Sequence, residues 1–146
     1  MELLPPPGTV LRQLRQEDAK TINEIWPHRH PGSINFIKRL IYYNLSMGVY
    51  KEDTGELIGW CLRLLIGSLG ILHIKEGYKR QGFGSLLVRK MSKSLADMNE
   101  DTTAPVVIKN TPSRNMFKKL GFEEVGKNYW VDTTASDSNY KWPEDI

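Results

Sequence analysis

A chain of 146 residues, 40% hydrophobic and 25% charged, has the size and composition of one soluble domain, large enough to bury a core without disulfide or metal staples. Its net charge of +3 suits an anionic small molecule, but no face-wide cluster of lysine and arginine accompanies it, so no nucleic-acid partner is expected. The single cysteine, Cys61, admits no internal disulfide and points to a reducing, cytoplasmic setting; it reads as a buried strand residue, with a catalytic thiol as the alternative.

The chain opens Met1-Glu2-Leu3-Leu4 and then Pro5, Pro6 and Pro7, with neither an apolar signal core nor an arginine-rich amphipathic start. No run approaches the ~20 apolar residues that span a bilayer, so no membrane partner is expected. Residues 1–9 read as a proline-rich tail, 10–142 as the domain and 143–146 as a second tail. Val10 to Leu14 form a first strand. Glu17 to Trp26 carry Ala19, Ile22, Ile25 and Trp26 at helical spacing with acids in the first turn, and Pro27 ends that helix. His28, Arg29 and His30 lie in a loop. Ser33 is a candidate N-cap for a second helix with Ile34, Ile37, Leu40 and Ile41 on one face.

A β-rich middle follows. Met47–Lys51 and Leu57–Leu65 are strands joined by the hairpin signal Glu52-Asp53-Thr54-Gly55, and Gly67-Ser68 turns into a strand Leu69–Ile74. From Gly82 to about Asn99 the period becomes helical through Phe83, Leu87 and Met91. Pro105–Ile108 is a short apolar strand, Ser113–Leu120 a helix stopped by Gly121, Phe122–Val131 a strand, and Asn139–Trp142 a last one. The order is that of an α/β (α+β) layout: a mixed, mostly antiparallel central sheet of 6–7 strands, helices on both faces, and one right-handed βαβ crossover between Leu69–Ile74 and Pro105–Ile108.

The segment Ile71 to Ser85 carries the chemistry. A strand leads into the basic, glycine-bearing turn Lys79-Arg80-Gln81-Gly82-Phe83-Gly84, which opens an amphipathic helix. Gly82 and Gly84 let a ligand approach the main chain, and the unpaired N–H groups and dipole of a helix's first turn make an anion site suited to phosphate. Two glycines alone are equally compatible with a tight turn built for packing. The third glycine of the dinucleotide fingerprint is absent, as is the Gly-Lys-Ser/Thr of a Walker loop.

Lys79 to Gly84 resembles the acyl-CoA loop of the GNAT N-acyltransferase superfamily, in which Arg or Gln, two variable residues, Gly, one variable residue and Gly or Ala recur. Downstream, Asn110-Thr111-Pro112-Ser113-Arg114-Asn115-Met116-Phe117-Lys118-Lys119-Leu120-Gly121-Phe122 is similar to that family's second motif: an Asn, a small residue three later, an aromatic seven later and a Leu-Gly-Phe close. Within the superfamily, Trp60 followed by Leu62, the Ser33 helix and Trp142-Pro143 resemble the catalytic half of glycine N-acyltransferase-like (FR47-like) proteins, which usually carry an additional N-terminal domain.

The resemblance implies the GNAT fold and an acyl-CoA co-substrate, acetyl-CoA first. Its pantetheine arm would pair with the main chain of Leu72, His73 and Ile74, lying between two splayed parallel strands. Its pyrophosphate would sit over Arg80, Gln81, Gly82, Phe83, Gly84 and Ser85 with Lys79 adding charge, and Asn110 and Phe117 would complete the cofactor site. Asn110 would bond the pantetheine or nearby backbone. A strand N–H would polarise the thioester carbonyl while an amine attacks it directly. Phe117 stands where many relatives place a tyrosine that protonates the leaving thiolate. Ser68 and Pro105 stand where relatives place a base glutamate. His73 is the remaining candidate base, with a packed or solvent-facing histidine as the plain alternative; His28 and His30 read as loop residues.

Deprotonating a lysine of pKa ~10.4 at pH 7 costs about 4.6 kcal/mol, against roughly 1 for an α-amine. The expected acceptor is therefore a small amine, an amino acid or an α-amine rather than a protein lysine. The rival class is an acyl-CoA-binding module without turnover; a third is an interaction domain presenting Trp130, Tyr140 and Trp142. No metal is expected, since three scattered histidines and one cysteine lack ligand spacing. A homodimer is left open.

Overall fold

The computed structural model describes residues 3–131. Within them the chain forms β1 (Thr9–Arg12), α1 (Asp18–Ile25), α2 (Ser33–Tyr43), β2 (Ser46–Lys51), β3 (Leu57–Arg63), β4 (Leu69–Ile74), a 3-10 turn (Glu76–Tyr78), α3 (Phe83–Asp97) and α4 (Thr111–Lys119). The four strands make one antiparallel sheet in the order β1-β2-β3-β4, which leaves β1 and β4 as its edges.

Helices cover both faces of the sheet because the strands alternate. One face presents Met47, Val49, Ile58, Cys61 and Leu69 to α3, whose Phe83, Leu87, Val88, Met91 and Leu95 are buried, and to Phe117 of α4. The other presents Tyr50, Leu57, Trp60 and Leu62 to Ala19 and Ile22 of α1 and to Ile37, Leu40 and Ile41 of α2. Each fully buried Leu, Ile or Met contributes about 1.5–3 kcal/mol, so α3 is held down by its apolar stripe.

Chain-order details differ at the caps. Ser33 is the first residue of α2 and not its N-cap; Gly32, left-handed at φ 85, precedes it. The buried Ser33 hydroxyl accepts the His30 N–H at 3.0 Å and donates to Asn23 Oδ1 at 2.6 Å, so it ties the α1–α2 loop together instead. Tyr50 is 2% exposed and donates its hydroxyl to Asp18 Oδ2 at 2.6 Å, joining the sheet to the start of α1.

Two predicted strands are not formed. Residues 101–107 have no regular structure, so the described residues contain neither a parallel strand pair nor the β-α-β crossover, and the strands number four rather than 6–7. One backbone bond, Leu69 N–H to Thr103 O at 2.8 Å, links that segment to β4. Pro105 has no N–H to offer a ladder, and Val107 and Ile108 face solvent. Residues 122–131 are likewise irregular, with Val125, Tyr129, Trp130 and Val131 exposed; an apolar run becomes a strand only beside a partner, and none pairs with it among the described residues. The predicted strand Asn139–Trp142, with Tyr140 and Trp142-Pro143, lies outside the described residues.

Candidate functional site

The site begins where β4 stops. Its C-terminal end passes through the Glu76–Tyr78 turn and the loop 79–82 into α3, whose first residue, Phe83, is 3% exposed and anchors the helix in the core. Two loop residues are left-handed, Arg80 at φ 61 and Gly82 at φ 82. The loop ends at the positive end of a 15-residue helix, whose first-turn N–H groups have no partner within the helix. A Cβ on Gly82 would meet nothing within 4 Å, so the space over this main chain is open. At Gly84 a Cβ would come 3.3 Å from Sδ of Met116, so this glycine brings α4, and with it the second motif, against the start of α3.

Charge around the loop is partly spent. Lys79 Nζ donates to Glu76 Oε2 at 2.6 Å, and that bond, with the lysine charge, holds the Glu76 carboxyl below its ordinary range. Arg80 has no ion-pair partner among the described residues. Gln81 Nε2 reaches the Gly77 carbonyl at 3.5 Å, and Ser85 lies half-buried in the first turn of α3.

β4 supplies an edge. As a terminal strand it presents a row of N–H and C=O groups on its outer side, and the segment that would have covered them makes only the Leu69–Thr103 bond. Midway along, the pairing with β3 slips by one residue. Arg63 pairs Leu69 and Leu62 pairs Gly70, yet Trp60 pairs His73. The extra residue is Ile71 at φ 52, a left-handed conformation that a β-branched side chain adopts only under strain of about 1–3 kcal/mol. The slip reverses the alternation beyond it. Leu72 and Ile74 pack toward α3, while His73 lies on the α1–α2 side against Trp60, ring centroids 5.2 Å apart and planes tilted 32°.

Burial lowers the His73 pKa from its ordinary value. The Lys79 charge adds to the shift and Glu76 opposes it, so the imidazole is neutral at neutral pH. Cys61 is fully buried and its thiol is pushed up to about 12, which removes it as a nucleophile. Asn110 caps α4, its Oδ1 accepting the Ser113 N–H at 3.2 Å, so at least that oxygen serves the backbone. Phe117 packs in the core: it is 8% exposed and meets Phe122 edge-to-face at 5.0 Å. Ser68 is buried, Pro105 is exposed, and His28 and His30 are exposed in the α1–α2 loop. Among the described residues no group of His, Cys, Asp and Glu could hold a metal ion, and no helix is long and apolar enough to cross a membrane.

The structure therefore gathers Leu72, His73, Ile74 and Lys79 through Ser85 at one end of the sheet, with α4 alongside. Sequence reasoning missed the Ile71 bulge and the Trp60–His73 stack. A one-residue slip has no composition signal, and Trp60 stood out only through family resemblance.

The chain is similar to several known proteins. An N-alpha-acetyltransferase of Sulfurisphaera tokodaii is 28% identical over 145 residues, covering 84% of this chain and 86% of its own. A Drosophila protein of known crystal structure is 34% identical with a TM-score of 0.78 over 82% of this chain, which spans 41% of that protein's length. The aminoglycoside 6'-N-acetyltransferase AAC(6')-Ih of Acinetobacter baumannii shares the fold at 16% identity, with a TM-score of 0.68 over 88% of this chain and 99% of its own. The family model described as FR47-like protein matches residues 46–131, from the first residue of β2 past the end of α4 and thus across both the loop and the capped helix beside it, so the chain belongs to the FR47-like family within the GNAT fold.

Proposed function

We propose that this chain is an acyl-CoA-dependent N-acetyltransferase whose acceptor is a small amine, an amino acid or an α-amine in preference to a protein lysine, and that residues 10–142 act as one catalytic domain. The observation that carries the reading is the loop with left-handed Arg80 and Gly82 that opens α3 beside the edge of β4, which no strand pairs with among the described residues. Main-chain N–H groups from Arg80 to Ser85 would hold the diphosphate, with Lys79 and Arg80 adding charge. The outer edge of Leu72, His73 and Ile74 would pair with the pantetheine arm as an added strand does. At the bulge a β4 N–H would polarise the thioester carbonyl.

In the reaction the amine nitrogen bonds the carbonyl carbon, the C–S bond breaks, and the thiolate takes a proton from solvent. Neutral His73 would accept the proton of the attacking amine. The absence of a stronger base at Ser68 and Pro105 fits an acceptor already partly deprotonated at neutral pH, and the activity named for the Sulfurisphaera relative is of the α-amine kind. A thiol-release assay crossing acetyl-CoA and longer acyl-CoAs with amino acids, small amines, peptide N-termini and lysine-tail peptides tests this. Turnover on free α-amines or small amines is expected; best turnover on lysine tails contradicts it.

One observation favours a second reading. Phe117 is buried in the place of the tyrosine acid, which fits a module that binds acyl-CoA without turning it over. Tight acetyl-CoA binding with no thiol release over the whole amine panel decides for that module.

A further inference from the structure

Resting on the transferase reading, a role for a residue outside the loop follows from the way β3 meets β4. Continued without interruption, the register set by Arg63–Leu69 and Leu62–Gly70 would bring Trp60 opposite Leu72 and turn His73 into the α3 core. The bulge at Ile71 shifts the phase by one, so a histidine and not a leucine faces the indole. Trp60 itself is 1% exposed, clamped on the α1–α2 side, and its Nε1–H is buried with no hydrogen-bond partner among the described residues. An orphaned buried donor is unfavourable, so what the indole contributes here comes from its ring and not from its N–H. That ring's neighbour across the strands is the half-buried imidazole at 5.2 Å.

We propose that Trp60 is the positioning residue of this site: with the Ile71 bulge it fixes the His73 ring on the α1–α2 side of β4, in one orientation, as the group that takes the amine proton. The charges acting on His73 are Lys79 and Glu76, paired with each other; β3 offers it the indole, and the cores of α1 and α2 packed on this face are apolar. The indole thus supplies the surface that keeps water from that side of the imidazole.

The test uses the full chain with His73 followed by NMR and thiol release followed in parallel. Wild-type protein is expected to show nuclear Overhauser contacts between the indole and the His73 ring protons, and a His73 titration below the ordinary histidine range. Trp60→Leu should move that titration up toward the ordinary value and cut kcat by about tenfold or more, with KM for acetyl-CoA changed little. Trp60→Phe, which keeps a flat ring on the imidazole, should recover most of kcat. No indole–imidazole contact in the wild type overturns the inference without recourse to any variant. So does an unchanged His73 titration in a folded Trp60→Leu protein that still binds acetyl-CoA. A wild type with no affinity for acetyl-CoA overturns the transferase reading itself.

Discussion

Gly84 and Met116 stand close enough that a β-carbon on the glycine would sit 3.3 Å from the methionine sulfur, and this approach seats α4 against the first turn of α3. The two segments that resemble family motifs are 32 positions apart in sequence at these residues, and the missing side chain lets them meet. Gly84→Leu should push α4 away, lowering acetyl-CoA affinity at least tenfold and destabilising the fold by about 1–3 kcal/mol through overpacking. Gly84→Ala should change stability by less than about 1 kcal/mol, because a flexible thioether can yield and alanine favours the helix. Calorimetry and thermal melts of both variants check the pair.

Gly82 answers to backbone shape instead. Its φ of 82 strains any L side chain, although nothing would touch the added Cβ. Gly82→Val should cost about 1–3 kcal/mol in stability and weaken acetyl-CoA binding further by displacing the N–H groups. The same valine at Gly77, where the φ is not left-handed and space is also open, should do much less.

Stability should fall on the alkaline side in two stages. Cys61 has its thiol pKa raised to about 12 and Tyr50 has its phenol raised further, each mainly by burial, with the hydrogen bond to Asp18 adding to the tyrosine shift. A group raised in the folded state holds its proton while the unfolded chain loses it. Its stabilisation is thus complete below the unfolded pKa and lost as pH climbs above it. The melting temperature should begin to drop above about pH 8.5 from the cysteine and more steeply above about pH 10 from the tyrosine. Cys61→Ala should flatten the first stage. Tyr50→Phe should flatten the second and cost about 1.5–3 kcal/mol at neutral pH, since it removes a hydrogen bond to a charged group.

His73 works the other way. Its pKa is lowered on folding, so below about pH 6.5 the unfolded chain binds the proton first and stability decreases as pH falls toward the folded value. His73→Gln should remove that acid-side slope in thermal melts. It should also remove the acidic limb of kcat, while acetyl-CoA binding persists.

Much of this was legible in the sequence, and what escaped did so for physical reasons. The helices announced themselves through the spacing of Ile22, Ile37, Leu87 and Met91, all of which are buried, and β4 spans the predicted residues because Ser68 and the turn before it bound one end. The turn into α3 is legible at Gly82 because glycine is the residue a left-handed φ demands. Arg80 and Ile71 adopt the same conformation without glycine, and no residue type marked them. The resemblance gives Phe117 a place in the cofactor site; the packing of its ring against Phe122 in the core has no signal in the motif spacing. Pro105–Ile108 and Phe122–Val131 had strand composition, yet strand formation is a property of a pair, and a single segment's pattern carries no information about its partner.

The proposed function requires main-chain N–H groups around Gly82 to grip a diphosphate next to the outer side of β4. Titration calorimetry of the folded chain with acetyl-CoA and, separately, with S-acetylpantetheine addresses this directly. Saturable acetyl-CoA binding, at least a hundredfold tighter than S-acetylpantetheine and weakened by Gly82→Val, is the predicted result. Equal affinity for the two, or no heat with either, contradicts it.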